Sequence, residues 1–174
     1  MQADLGKNYF ELFGLPENFT LDVAELTSRY RELQRRFHPD RFVSAPEAER
    51  RLSIQLTAQI NAAYQTLRDE VARGRYLLSL QGVSTDEDTD TRMDPEFLME
   101  QMELREALDD ARAAGSDAPR RALQARVENL LKEKSDALRR QLAEPSNPAR
   151  RQARDTVREM QFLQKLSREI DALD

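Results

Sequence analysis

Apolar residues recur at helical spacing along most of the chain. Leu26, Tyr30, Leu33 and Phe37 stand at i, i+4, i+7 and i+11, which places them on one face of a helix from Asp22 to Phe37. Arg29, Arg31, Arg35 and Arg36 fall on its outer side. A second stripe, Leu52, Leu56, Ile60, Ala63 and Leu67, predicts a long helix from Pro46 to Asp69. Two such amphipathic helices bury their stripes by pairing as an antiparallel hairpin. A short helix around Asn8 to Phe13 precedes them, and a further turn through Arg75 to Leu80 supplies Tyr76, Leu77, Leu78 and Leu80, either as core or as cement between two domains.

The pattern then lapses. Residues 83–95 lack a 3.6-residue period and are rich in acids and turn formers, so they read as a linker. Beyond it three more stripes appear: Phe97, Leu104 and Leu108; Leu123, Val127, Leu130, Leu138 and Leu142; Met160, Leu163, Leu166, Ile170 and Leu173. They predict helices from Pro95 to Ala114, from Pro119 to Ala143 and from Ala149 to Leu173, with Gly115 and Pro145 as stops. Short connections favour an up-down three-helix bundle. The expected fold is all-α, in two domains: 1–82, a helical hairpin with short flanking helices, and 96–174, a three-helix bundle.

Composition narrows the chemistry. In 174 residues there is no cysteine and a single histidine, which excludes disulfides, thiolate nucleophiles and cysteine-ligated metal, and leaves little imidazole for zinc. No cofactor, metal or catalytic residue is expected, because no paired carboxylates, phosphate-cradling glycine loop or ligand cluster can be assembled. The net charge is −5, against the concentrated basic face that nucleic acid requires. No secretory signal or apolar run of about 20 residues occurs, so a cytoplasmic protein without a membrane or nucleic-acid partner is expected.

The one histidine lies in Phe37-His38-Pro39-Asp40-Arg41. Proline disfavours helix at the residue before it, so His38 falls at the tip of the hairpin with Asp40 beside it. General acid or base work would need a second catalytic group in a cleft. A helix-terminal hydrogen bond, a stray metal ligand and a surface presented to a partner remain the readings of the residues themselves.

The helix after Pro95 carries a second unusual surface. At about 100° per residue, Leu104 and Leu108 align with Phe97, whereas Leu98, Met99 and Met102 fall well away from that stripe, bordered by Glu103, Glu106 and Asp110. Residues 86–110 hold 11 acids against 2 arginines, so these apolar side chains sit in a negative field. Burial on two sides, or an exposed binding face, would each account for them.

Four elements in order carry a resemblance: Asn8-Tyr9-Phe10-Glu11-Leu12-Phe13-Gly14-Leu15-Pro16, the Tyr30 helix, His38-Pro39-Asp40, and Ile60-Asn61-Ala62-Ala63-Tyr64-Gln65-Thr66-Leu67-Arg68-Asp69. Together they resemble a J domain read from end to end. Arg75-Tyr76-Leu77-Leu78-Ser79-Leu80-Gln81-Gly82, Phe97 to Glu106, and Val157-Arg158 with Phe162-Leu163 and Lys165-Leu166 are similar to the iron-sulfur co-chaperones of the HscB type, in the shorter bacterial form.

The resemblance implies that His38, Pro39 and Asp40, helped by Arg29, Arg31, Arg35, Arg36 and Arg41, dock on an HscA-like heat-shock chaperone and trigger its ATPase. It implies that Leu98, Met99, Met102, Glu103, Glu106, Asp110 and Phe162 bind an IscU-like iron-sulfur scaffold protein. Lacking thiolates, the chain would serve cluster assembly without carrying the cluster. A J-domain protein for unfolded clients, or a helical assembly factor whose triplet is incidental, are the alternatives.

Overall fold

The computed structural model describes residues 6–85 and 94–173. Among them no strand occurs, and the chain falls into two compact units, Met1–Leu77 and Leu78–Asp174. Most of the expected linker lies outside the described residues.

In the first unit, α1 (Tyr9–Phe13) is short and firmly bounded. Asn8 and Glu11 form a reciprocal capping box at its start, and Gly14 closes it at φ +63°, a left-handed conformation that a side chain disfavours. α2 (Val23–Phe37) begins at the Asp22 cap and pairs with α3 (Glu47–Arg68). Leu26, Leu56, Ile60, Ala63 and Leu67 are buried between elements of the unit, as their spacing required. Tyr30 stacks on Tyr64 with ring centroids 4.0 Å apart, and Asn61 accepts from both the Tyr30 hydroxyl and the Gln34 amide.

The fourth helix is longer than the apolar spacing shows. α4 (Glu70–Leu80) starts one residue after Asp69, whose carboxylate accepts from the Ala72 N–H at 2.8 Å and so caps a new helix where α3 ends. Its Arg73 is buried, donating to the carbonyls of Phe19 and Leu67 at 2.7 Å each and lying 5.1 Å from the centre of the Phe19 ring. Burial pulls this guanidinium below its ordinary pKa, with the charges of Glu70 and Asp69 acting the other way. Tyr76 stacks on Tyr9, and its hydroxyl accepts from the Tyr9 N–H; burial pushes the phenol pKa up. Leu77 and Leu78 are buried and Leu80 is exposed.

The second unit contains α5 (Pro95–Ala113), α6 (Ala118–Ala143) and α7 (Asn147–Asp171). α7 begins two residues earlier than expected, because Ser146 caps it and Pro148 tolerates the first turn. Leu104, Leu108, Leu123, Val127, Leu163, Leu166 and Ile170 form the core, with Leu130, Phe162 and Leu173 packed at its edge. Arg105 on α5 meets Glu169 on α7 at 2.5 Å, Lys134 on α6 pairs with Glu159 on α7, and Thr156 donates to Gln141 across the α6–α7 turn.

Candidate functional sites

The first candidate surface is the tip that follows α2. The Phe37 carbonyl has lost its helical partner, and two hydroxyls from α3 replace it: Ser53 Oγ donates at 2.8 Å and Thr57 Oγ1 at 3.1 Å. His38 then adopts φ −56°, ψ 131°, the extended geometry that a following proline demands. Pro39–Phe42 form a single 3-10 turn. The His38 Nδ1 accepts from the Asp40 N–H at 3.2 Å, and the Asp40 carboxylate stands 3.5 Å from the same nitrogen. Both side chains remain open to solvent, at 55% and 88%.

The arginines divide into two groups. Arg31, Arg35 and Arg41 line, with Thr27, Ser28 and His38, an open concavity of about 1280 Å³ on the α2 side of the tip. Arg41 also donates to the Arg35 carbonyl at 3.1 Å, which satisfies a second carbonyl at the same end of α2. Arg29 is turned elsewhere. Its Nη1 donates to the carbonyls of Phe13 and Gly14 at 2.8 Å each, and its Nη2 meets Glu25 at 2.5 Å. Arg36 is exposed and lies 5.2 Å from the Phe37 ring centre. Sequence reasoning expected Arg29 to act with the others on a partner; within the folded unit its donors close the end of α1.

The second candidate surface is the outer face of α5. Phe97, Leu104 and Leu108 are buried, whereas Leu98, Met99 and Met102 are 44%, 66% and 74% exposed. Glu103, Glu106 and Asp110 are exposed beside them. Glu103 faces Arg126 of α6 at 3.3 Å. Phe162 is half-buried: its ring meets Phe97 edge to face at 5.8 Å, and Arg105 lies 5.4 Å above it. It packs at the edge of the bundle core. The Arg105 guanidinium holds the Glu169 carboxyl below its ordinary range, against the opposing effect of burial.

The tip and the α5 face belong to different units. Among the described residues no three His, Cys, Asp or Glu side chains gather as a metal site, and no helix is long and apolar enough to cross a membrane. Ser53 and Thr57 escaped the sequence reading. The available signal was a pair of hydroxyls at i and i+4 on the inner side of a helix, where apolar residues were expected.

A helical hairpin presenting His-Pro-Asp at its tip, followed by a helical bundle, defines a J-domain co-chaperone. The DnaJ domain family matches residues 8–76, and the family described as the HSCB C-terminal oligomerisation domain matches residues 93–171. The chain is 46% identical over 169 residues to a protein named co-chaperone protein HscB homolog from Vibrio vulnificus (strain YJ016), covering 96% of each chain. Among solved structures it resembles chaperone HscB from Vibrio cholerae, with a TM-score of 0.84 and 44% identity over 95% of this chain and 96% of that one. It also resembles human co-chaperone protein HscB, with a TM-score of 0.89 and 31% identity over 98% of this chain and 83% of the other. The chain belongs to the HscB co-chaperone family.

Proposed function

We propose that this chain is a cytoplasmic, non-enzymatic adaptor of iron-sulfur cluster assembly, which binds an IscU-like scaffold protein and delivers it to an HscA-like heat-shock chaperone while stimulating that chaperone's ATPase. The observation that carries the reading is that one chain of the HscB family holds an open His38-Pro39-Asp40 tip in one unit and an exposed apolar, acid-bordered face on α5 in the other. In this reading the tip, with Arg31, Arg35, Arg36 and Arg41, meets an acidic surface of the chaperone. Asp40 accepts charge-assisted hydrogen bonds from a partner arginine, and the proline-restricted turn loses little entropy on docking. Leu98, Met99 and Met102 anchor the scaffold, with Glu103, Glu106 and Asp110 setting approach and specificity and Phe162 supporting the face from below. Methionine suits such a face because its flexible thioether repacks around a partner. Joining two binding surfaces in one chain raises the effective concentration of scaffold at the chaperone.

The test is a separation of function. His38→Gln or Asp40→Asn should abolish ATPase stimulation measured in steady-state turnover, and should leave scaffold affinity, measured by calorimetry, within about twofold, because the two surfaces lie in different units. Full stimulation by either variant would sink the J-domain role. Binding of extended peptides in preference to the folded scaffold would favour a general co-chaperone instead.

A further inference from the structure

The tip that the proposed function depends on is held from behind, by α3. α2 ends at Phe37, and its carbonyl is one of the groups that a helix C-terminus leaves without an intrahelical donor. Ser53 and Thr57, one turn apart on α3, aim their hydroxyls at that single oxygen, at 2.8 and 3.1 Å. Ser53 is fully buried and Thr57 half-buried. Both act on the residue immediately before His38, so they fix the plane of the peptide from which the His38 backbone departs. From there, the His38 ring caps the 3-10 turn and the Arg41 N–H returns to the His38 carbonyl at 3.0 Å. The direction of Asp40 is therefore set by a relay that begins on α3.

We propose that Ser53 and Thr57 are positioning residues for the His38-Pro39-Asp40 tip, selecting from outside it the one tip conformation that engages the chaperone. This rests on the proposed function, since stimulation is how the conformation is read. Apolar packing alone would hold α2 against α3 without choosing where the Phe37 carbonyl points, because dispersion contacts are non-directional and hydrogen bonds are not. Two donors on one acceptor leave that carbonyl little freedom to turn.

The test uses the full chain with a bacterial HscA-type chaperone. Ser53→Ala combined with Thr57→Val should lower stimulation about tenfold, the order expected when two hydrogen bonds that select one conformation are lost. Each single change should lower it by about two- to fivefold, and Thr57→Ser, which keeps the hydroxyl, should restore it. The Asp40 amide and His38 ring resonances should shift in the double variant, while scaffold affinity stays unchanged. Ile60→Val, which thins the core of the same helix pair away from the tip, serves as the control for lost stability and should leave stimulation and those resonances as they are. A double variant that stimulates like the parent while His38→Gln is silent overturns the positioning role and leaves the proposed function standing. Equal losses in Ile60→Val at equal loss of melting temperature overturn it too, by reducing the effect to stability. A parent that stimulates no ATPase overturns both.

Discussion

The tip after α2 and the outer face of α5 are both exposed, yet they are exposed in opposite ways. At the tip several backbone groups are tied down. Ser53 and Thr57 hold the Phe37 carbonyl, Arg41 holds that of Arg35, and His38 caps the turn that carries Asp40. On α5 the conspicuous side chains are Leu98, Met99 and Met102, flexible and apolar, standing on a helix whose inner face does the packing. A turn keeps its shape only if its orphan carbonyls and amides find partners, whereas a helix supplies its own backbone bonds and can leave its outer face free. The tip suits recognition by fixed geometry. The α5 face suits recognition by adaptable burial.

The sharpest way to break that contrast is to truncate the two sides of α5 separately. Phe97→Ala removes a side chain only 4% exposed, edge to face with Phe162 and beneath Lys134, and should cost about 3–5 kcal/mol in denaturant unfolding of the full chain. Leu98→Ala, Met99→Ala and Met102→Ala together should cost less than about 1 kcal/mol, because Met99 and Met102 are already largely in water and Leu98 nearly half so. The same triple variant should lose most of its affinity for the scaffold, read by calorimetry. A triple variant that unfolds as early as Phe97→Ala would make the outer face part of the core.

Much of this contrast is legible in the amino-acid sequence. The stripes of α2, α5 and α7 determine which faces turn inward, because hydrophobic period reports burial directly, whereas the angular offset of Leu98, Met99 and Met102 from Phe97 sets them off that stripe without deciding between burial on a second side and exposure. What stays hidden depends on hydrogen bonds between residues distant in the chain. Arg29 reads as one more surface charge until its donors are seen on the Phe13 and Gly14 carbonyls. Arg73 carries no mark of burial in the apolar pattern, yet it is buried against Phe19. The start of α4 escapes the apolar pattern because Asp69 ends one helix and caps the next within a single residue. Ala149 and Ala153 are buried in α7, although alanine is too small and too common on helix surfaces to announce a core position.

The arginines of α2 offer a smaller test, aimed at the tip. Arg29→Ala removes two bonds to the carbonyls that end α1 and should lower stability by about 1–2 kcal/mol, since hydrogen bonds from charged groups exceed neutral ones. Arg31→Ala and Arg35→Ala, whose side chains line the concavity beside His38, should leave stability within about 0.5 kcal/mol. Their effect should fall on association with the chaperone, as a slower on-rate whose salt dependence is reduced. An Arg29→Ala variant with unchanged melting, or an Arg31→Ala variant that melts early, would erase the division between structural and partner-facing arginines.

The smallest effect concerns how α5 is held, and its sign follows from protonation. Glu169 on α7 accepts from Arg105 on α5, and that hydrogen bond first, then the charge of Arg105, lowers the Glu169 carboxyl below its ordinary value of 4.5. A carboxyl whose pKa is depressed by folding binds its proton less readily in the native state, so its contribution is complete above the ordinary value and disappears as pH falls through the lowered one. The Arg105 side chain is 40% exposed and Glu169 28%, so solvent screens the pair and the contribution should be only about 0.5–1 kcal/mol. Glu169→Gln should therefore be slightly less stable than the parent at neutral pH, and the gap should close on acidification below the carboxylate range, as followed by urea unfolding across pH. Because the change loosens the tie between α5 and α7 without altering Leu98, Met99 or Met102, scaffold affinity should hardly change. A gap that widens in acid would give the bond the wrong sign, and a loss of scaffold binding would mean that the outer face of α5 depends on how the helix is tied to α7.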